Sequence, residues 1–469
     1  MPLSSVRYII KPVDTIDPFP EPYIIQYTPN NEDTIDNMLV SVEMIAAKAQ
    51  SHFVLESNTQ SKSITKSKSI TKSKSITKSK SKPKSSRSKK NHFTYILDLS
   101  KLPHKSGLRQ IIIDKFIIAY YNYKNYKNID GIPNVFLDTG KPISNYGTIA
   151  LTALDCMRII DSPPNIMNTE SIVDYILNNP IPGLNIEVIG EAELRKHNYE
   201  GILAVNQACP RPPKMLILRY NGHGITTDKS KPIVLVGKGV IFDSGGINIK
   251  YGEFNDMKHD KTGAIYVWGI LKTLAMTKSR GNFIGVLPFV ENMPGSNAVH
   301  PGDIIHTCRN KTVEVANTDA EGRLILADAL CWITNNNIKP SIIIDMATLT
   351  GQAAFIFGEL GTAVMTNNMG SKYLSDLQQI GEKRREYFWP LPIHRAFRKH
   401  LHSSVADITN SPSIHAGTIM AGMFLAEFVD ANVPWIHLDI AGVAFKKRAT
   451  GVPLCSIYYF IQHLAQGGL

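Results

Sequence analysis

Paired cysteines, long apolar runs and, over one stretch, acidic residues are what this sequence lacks. Its five cysteines, Cys156, Cys209, Cys308, Cys331 and Cys455, are scattered and form no Cys-x-x-Cys pair. That spacing excludes a thiolate zinc module and a disulfide framework, and predicts free thiols in a reducing compartment. No run approaches the roughly eighteen apolar residues of a membrane span. The start, Met1-Pro2-Leu3-Ser4-Ser5-Val6-Arg7, lacks the charged-then-apolar pattern of a secretory signal. The expectation is a soluble, cytoplasmic protein without membrane attachment.

Residues 61–90 contain no acidic and no aromatic residue, but twelve lysines and arginines. The net charge of +11 therefore belongs to this tract, and the rest of the chain is near neutral. Ser63-Ile64-Thr65-Lys66-Ser67-Lys68 recurs at 69–74 and 75–80, a period too short for a solenoid unit. One aliphatic residue per repeat cannot offset the entropy of ordering, so 58–91 is expected to be a disordered insert. Lysine-rich segments hold phosphate backbones without reading sequence. Here they lack the aromatics and the reading helix that recognition needs. Any contact with nucleic acid is confined to 61–90, and a solvated linker is the plainer account.

At 469 residues, with 43% hydrophobic and 19% charged residues, the chain calls for two globular domains. The turn-rich stretch Leu137-Asp138-Thr139-Gly140-Lys141-Pro142 suggests a smaller N-terminal α/β domain over 1–140 and a catalytic domain over 141–469. In the first, Tyr23–Tyr27 and Phe93–Leu97 read as strands. The apolar spacing of Ile35, Met38, Leu39, Val42 and Ile45 predicts a helix over 34–50. Residues 111–126 are apolar and aromatic without a decisive period.

Beyond residue 148, strand and helix patterns alternate. Helices are predicted over 148–160, 169–177, 191–197, 263–276, 324–334 and 414–429. Strands are predicted over 185–189, 215–219, 233–236, 282–288, 341–346 and 435–440. Continuous apolar runs such as Ile342-Ile343-Ile344 indicate buried parallel strands. The fold class is α/β, a mostly parallel central sheet flanked by helices.

In such sheets, sites form beyond the carboxyl ends of strands. Three candidate ends carry unusual residues. Val236-Gly237-Lys238-Gly239 leads to Phe242-Asp243-Ser244-Gly245-Gly246 and on to Lys250; Asp256-Met257-Lys258-His259-Asp260 opens a helix; Asn317-Thr318-Asp319-Ala320-Glu321-Gly322-Arg323-Leu324 precedes another. The glycine-rich stretch has neither phosphate-loop nor dinucleotide spacing. On an extended segment Asp319 and Glu321 would point to the same side. Two readings stand for them: a helix cap, or a cation site shared with Asp243 and Asp260. Four carboxylates gathered at one edge would repel unless cations offset them. His259 and His437 lack ligand spacing and read as satisfied core or surface histidines and not as metal ligands.

Taken together, Val236–Gly239, Phe242–Gly246, Glu291-Asn292-Met293-Pro294, Asn317–Leu324, Ala347-Thr348-Leu349-Thr350-Gly351 and Pro434-Trp435-Ile436-His437-Leu438-Asp439-Ile440-Ala441-Gly442 resemble the leucine (cytosol) aminopeptidase family over roughly 145–460. The resemblance implies a two-metal exopeptidase that removes the N-terminal residue, leucine-like but broad in range, from peptides. Lys238, Asp243, Asp260, Asp319 and Glu321 would be its metal ligands, Asp243 and Glu321 bridging two zinc or manganese ions. Lys250 would polarise the scissile carbonyl and Arg323 would hold a bicarbonate base. Met257, Leu349 and Ala444 would line the substrate pocket. The family also implies a homohexamer. Two departures stand out: Lys261 replaces an apolar Met beside Asp260, and Thr450-Gly451-Val452-Pro453-Leu454 replaces a more glycine-rich ending. A different class of function, nucleic-acid-binding or structural work on the same scaffold through the basic insert, is the alternative.

Overall fold

The computed structural model describes residues 148–222, 231–252, 254–412 and 415–468. It also describes the short stretches 8–9, 23–26, 94–98, 106–119, 121 and 134–137. The chain divides into two compact units, Met1–Ala150 and Leu151–Leu469.

In the first unit, strands β1 (Tyr8–Ile9), β2 (Tyr23–Gln26), β3 (Thr94–Asp98) and β4 (Asn134–Leu137) form one sheet in that order. The β1–β2 pair is antiparallel, and β2–β3 and β3–β4 are parallel. The ambiguous apolar stretch falls, up to residue 119, in helix Ser106–Ala119, which buries Ile112, Ile113 and Phe116; residues 122–126 lie outside the described residues. The helix expected over 34–50 and the insert at 58–91 lie outside the described residues.

The second unit is built on β5 (Leu184–Ile189), β6 (Lys214–Asn221), β7 (Ile233–Gly237), β8 (Gly239–Asp243), β9 (Asn282–Asn292), β12 (Ile342–Ala347), β13 (Gly361–Thr366), β14 (Tyr387–Pro390) and β16 (Trp435–Asp439). These make one nine-stranded sheet of order β14-β13-β16-β12-β7-β9-β6-β5, with β8 also pairing β9. Its centre, β16-β12-β7-β9, is parallel, and antiparallel pairs join β5 to β6, β6 to β9 and β13 to β16. Every residue of β7, β12 and β16 is buried. That is the burial of strands covered on both faces.

Strand β9 shows how. A side chain at Gly285 would meet Leu271 and Val267 of helix Thr262–Met276. Its neighbours Ile284 and Val286 instead join the core around Leu324, Ile325 and Leu330 of helix Gly322–Asn335. Alternation along the strand thus assigns one helix to each face. A small sheet of β10 (Ile304–His306), β11 (Thr312–Glu314) and β15 (Ile408–Thr409) leads the chain into the Asn317 loop.

The structure adds the short helix Glu200–Val205, which has too few residues for periodicity to show, and extends β9 to Asn292. It also corrects the reading of the cysteines: Cys308 and Cys331 are disulfide-bonded, with Cα atoms 5.6 Å apart, and only Cys156, Cys209 and Cys455 are free. The two partners are 23 residues apart in sequence, so no local spacing announces them. No helix among the described residues is long and apolar enough to cross a membrane.

Candidate metal centre

The carboxyl ends of β7, β8, β9 and β12 open towards one side of the sheet, and the candidate residues gather there. Lys238 follows β7 and Asp243 closes β8. Asp260 lies in the 3-10 turn Phe254–Lys261 that runs into helix Thr262–Met276, and Glu321 is the N-cap residue of helix Gly322–Asn335. The Lys238 ammonium lies 2.8 Å from Asp260 Oδ2 and 2.8 Å from Glu321 Oε1. It also donates to the Thr348 carbonyl at 3.0 Å. Lys250 lies 2.8 Å from Asp243 Oδ2 and pairs with Asp319 Oδ1. Carboxylate oxygens of Asp243, Asp319 and Glu321 lie within 4.8 Å of one another.

Asp319 and Glu321 converge by a route other than the extended one. Residues 318–319 form a turn and Glu321 has helical angles, φ −75° and ψ −37°. The turn is held by Asn317 Oδ1, which accepts from the Asp319 amide at 2.8 Å, and by Asn410. The Asn410 side chain accepts from the Ala316 and Asn317 amides and donates to the Asn317 and Ala320 carbonyls. Glu321 makes no side-chain cap bond, so the helix-cap reading fails for it.

The turn after β8 is shaped by Gly245 and Gly246, at φ +88° and +65°. A Cβ on Gly245 would stand 2.4 Å from the Asn248 carbonyl and 3.0 Å from Asp319 Oδ1, so this turn admits no side chain against the carboxylates. It returns the chain so that the Lys250 amide bonds the Ser244 carbonyl at 2.9 Å, which aims Lys250 back at Asp243.

Asn292, at the end of β9, donates to Asp243 Oδ1 at 2.8 Å and to the Thr318 carbonyl at 3.1 Å. Thr348 donates its hydroxyl to Asp260 Oδ1 at 2.8 Å. Neither Asn292, Thr348 nor Asn410 stood out as a site residue in the sequence, although the first two fall within family-like blocks; their roles depend on contacts across 26 to 93 residues.

The cluster carries more negative charge than it offsets. Burial alone would lower the Lys238 pKa, but Asp260, Glu321 and Asp243 outweigh it and hold the ammonium well above its ordinary value. Lys250 is raised in the same way by Asp243, Glu321 and Asp319. Burial, with Glu321 and Asp243 adding to it, pushes the Asp260 carboxyl well up against the pull of Lys238. Asp319 rises to about 6 through burial and the charges of Asp243 and Glu321. Asp260, Asp319 and the two amines are all raised because two ammonium groups face four carboxyl groups in a buried site. Asp260 Oδ2, Asp319 Oδ1 and Glu321 Oε1 are buried and meet lysines only as ion pairs, without a hydrogen bond of good geometry. A hard, oxygen-seeking divalent cation suits that donor set.

Arg323, on the first turn of its helix, is 7% exposed. It donates to the Asn410 carbonyl at 2.7 Å, while its Nε has no partner. Burial lowers its pKa to about 10, opposed by Glu321 and Asp439. Lys261 is fully buried but turns towards the carbonyls of Lys258, at 2.5 Å, and Ser162, at 3.3 Å, rather than the carboxylate cluster. Burial lowers its pKa to about 7. Met257 is half-buried on the 3-10 turn, Leu349 is half-buried after β12, and Ala444 is fully buried after β16. His259 bonds Asp161 at 2.9 Å and stacks on Phe445, and His437 bonds Asp345; both are core histidines, as expected.

A carboxylate–lysine cradle at the carboxyl edge of a parallel α/β sheet is thus the centre of the second unit. The chain belongs to the cytosol aminopeptidase family, whose catalytic-domain model matches residues 156–458. The probable cytosol aminopeptidase of Caulobacter vibrioides is 44% identical over 293 residues, 62% of this chain and 58% of that relative. That of Syntrophotalea carbinolica is 34% identical over 360 residues, 73% of this chain and 71% of the relative. Many of the curated relatives are therefore matched over little more than half their length.

Among solved structures, the bottromycin maturation enzyme BotP in complex with Mn superposes with a TM-score of 0.71 at 29% identity, covering 79% of this chain and 84% of its own. The Caenorhabditis elegans leucine aminopeptidase superposes with a TM-score of 0.69 at 29% identity, covering 80% and 76%.

Proposed function

We propose that the protein is a metal-dependent aminopeptidase that hydrolyses the N-terminal residue, leucine-like, from peptides. The carrying observation is the convergence of Lys238, Asp243, Asp260, Asp319 and Glu321 from four separated segments into one buried, negatively charged cradle. Membership of the cytosol aminopeptidase family and the likeness to a manganese-bound neighbour support the reading.

These five residues would hold two divalent cations, zinc or manganese, with Asp243 and Glu321 shared between them and Lys238 taking part as a neutral amine once its proton has left. When bound, such ions supply Lewis-acid polarisation of the scissile carbonyl and acidify an attacking water. The chain's own residues do the rest. Asp260, buried beside Lys238, would take the substrate's free amine, which would restrict reaction to chain ends. Lys250, with its ammonium at the mouth of the cradle, stabilises charge developing on the carbonyl oxygen. Arg323 offers a guanidinium edge with an unpartnered Nε, suited to a planar anion such as bicarbonate acting as the base. Met257, Leu349 and Ala444 would line the pocket for the side chain of the released residue.

The same reading assigns 1–140 as a smaller domain carrying the solvated 58–91 insert, 141–469 as the catalytic domain, and a cytoplasmic homohexamer as the assembly.

Wild type should bind Mn2+ and hydrolyse a leucyl chromogenic substrate, whereas Glu321→Ala should lose both. Equal hydrolysis by the two proteins would end the proposal. Deleting 61–90 should leave hydrolysis intact and remove any retention on DNA; loss of hydrolysis would favour a functional insert.

A further inference from the structure

Strands β12 and β16 lie side by side in the centre of the sheet, yet each carries ionisable residues where apolar ones would be expected. Asp345 faces His437 across the parallel pair, and Ala347 faces Asp439. Asp345, His437 and Asp439 are at most 1% exposed. Buried charge persists only where it is paired or hydrogen-bonded, and here each of the two carboxylates has its own partners. Asp345 accepts from Trp435 Nε1 at 2.6 Å and binds His437 Nδ1. His437 and Asp439, two residues apart on one strand, share a face.

Asp439 then reaches out of the sheet. Its Oδ1 accepts from the amides of Leu349 at 3.1 Å and Ala441 at 3.2 Å, and its Oδ2 accepts from the Thr350 hydroxyl at 2.7 Å. Thr350 is in turn 2.7 Å from the Thr418 hydroxyl. The segment 348–350 is thereby gripped on its far side. On its near side, Thr348 is the residue whose carbonyl receives Lys238 and whose hydroxyl binds Asp260. One carboxylate therefore fixes a segment whose other face orients two members of the cradle.

We infer that Asp439 is a positioning residue of the reaction: through Leu349 and Thr350 it sets Thr348 so that Lys238 and Asp260 are aimed for cation binding. This rests on the aminopeptidase reading of the cradle. Groups that orient a metal's ligands in this way typically govern affinity and turnover by about 10–100-fold.

The test compares Asp439→Asn, Thr350→Val and Thr350→Ser with wild type in the full chain. Three quantities are read: Mn2+ affinity by chelator competition, kcat and KM on a leucyl chromogenic substrate, and amide hydrogen exchange over 347–351 in the metal-free protein. Asp439→Asn and Thr350→Val should weaken Mn2+ binding and lower kcat by about tenfold or more. Exchange should quicken over 347–351, where the Thr350 hydroxyl loses its carboxylate acceptor in one variant and is absent in the other. Thr350→Ser keeps the hydroxyl and should stay within about twofold of wild type, a rescue that a merely structural role would not produce.

If Asp439→Asn does not fold, the Thr350 pair decides. Wild-type Mn2+ affinity, kcat and exchange in Thr350→Val, or equal loss in Thr350→Ser, overturns the inference. Hydrolysis that survives Glu321→Ala instead overturns the reading of the cradle, and exchange in the metal-free protein still reports on the clamp.

Discussion

Gly322 leaves open the space that the Lys238 side chain crosses: a Cβ on Gly322 would stand 2.5 Å from Lys238 Cε and 2.6 Å from its Nζ. The two residues are far apart in sequence, and Gly322 is the first residue of the helix that follows Glu321. Glycine is needed here for close approach, not for a backbone angle.

Gly322→Ala should therefore push Lys238 off Asp260 and Glu321. Hydrolysis of a leucyl substrate should fall by about 10–100-fold in kcat/KM, together with Mn2+ affinity. The melting temperature should fall as well, because separating the buried ammonium from its two carboxylates costs more than the roughly 1 kcal/mol of helix propensity that alanine regains. Steady-state kinetics with calorimetry on the same sample check this, and wild-type kcat/KM would show that the lysine tolerates displacement.

Removing the Lys238 charge outright should act on the fold. Lys238→Met leaves Asp260 and Glu321 without the ammonium that now lies 2.8 Å from each. Breaking a buried pair in this way costs about 3–5 kcal/mol. Urea unfolding in the presence of EDTA should show that loss for the metal-free protein. Adding Mn2+ to wild type should move its midpoint the other way by mass action.

A pH effect should arise away from the cradle. Asp328, buried on helix Gly322–Asn335, accepts from the Ile202 amide at 2.8 Å, and burial raises its pKa from 3.8 to about 8. The native state therefore keeps a proton that the unfolded state gives up between those values. Stability from this group is complete below the unfolded pKa and is lost as pH rises towards about 8. Asp328→Asn should abolish that slope. Melting curves from pH 4.5 to 8.5 should show wild type falling progressively relative to the variant, and parallel curves would contradict the assignment.

The Cys308–Cys331 bond joins the turn before β11 to the middle of helix Gly322–Asn335, and the loop it closes contains Asp319, Glu321 and Arg323. Mass spectrometry of denatured, alkylated protein should find Cys156, Cys209 and Cys455 labelled without reductant and all five cysteines labelled with it. Cys308→Ser with Cys331→Ser should lower stability by about 3 kcal/mol, the loop-closure scale for a separation of 23 residues.

Much of the second unit was legible in the sequence, for reasons that the structure makes concrete. The helix read at 169–177 is observed as Thr169–Asn178, with a capping box on Asn168 and Ser171. The strands at 233–236 and 341–346 are observed as Ile233–Gly237 and Ile342–Ala347, because fully buried parallel strands need unbroken apolar runs. Helix Glu200–Val205 escaped notice because six residues hold too little periodicity. The convergence of Asp319 and Glu321 was anticipated from an extended backbone, whereas a turn held by Asn317 and Asn410 produces it.

The sequence by itself determined the α/β alternation, the core strands and which residue types carry the chemistry, because these depend on local periodicity and on the coordinating power of single side chains. Tertiary structure alone decided what those side chains face. Lys261 lies beside Asp260 in sequence yet turns to the carbonyls of Ser162 and Lys258, away from the cradle. Asp439 grips Leu349 and Thr350 across 90 and 89 residues. Cys308 finds Cys331 through the fold and not through spacing. Each is a contact between distant segments, set by which strand lies beside which and by where each chain turns at the sheet's carboxyl edge.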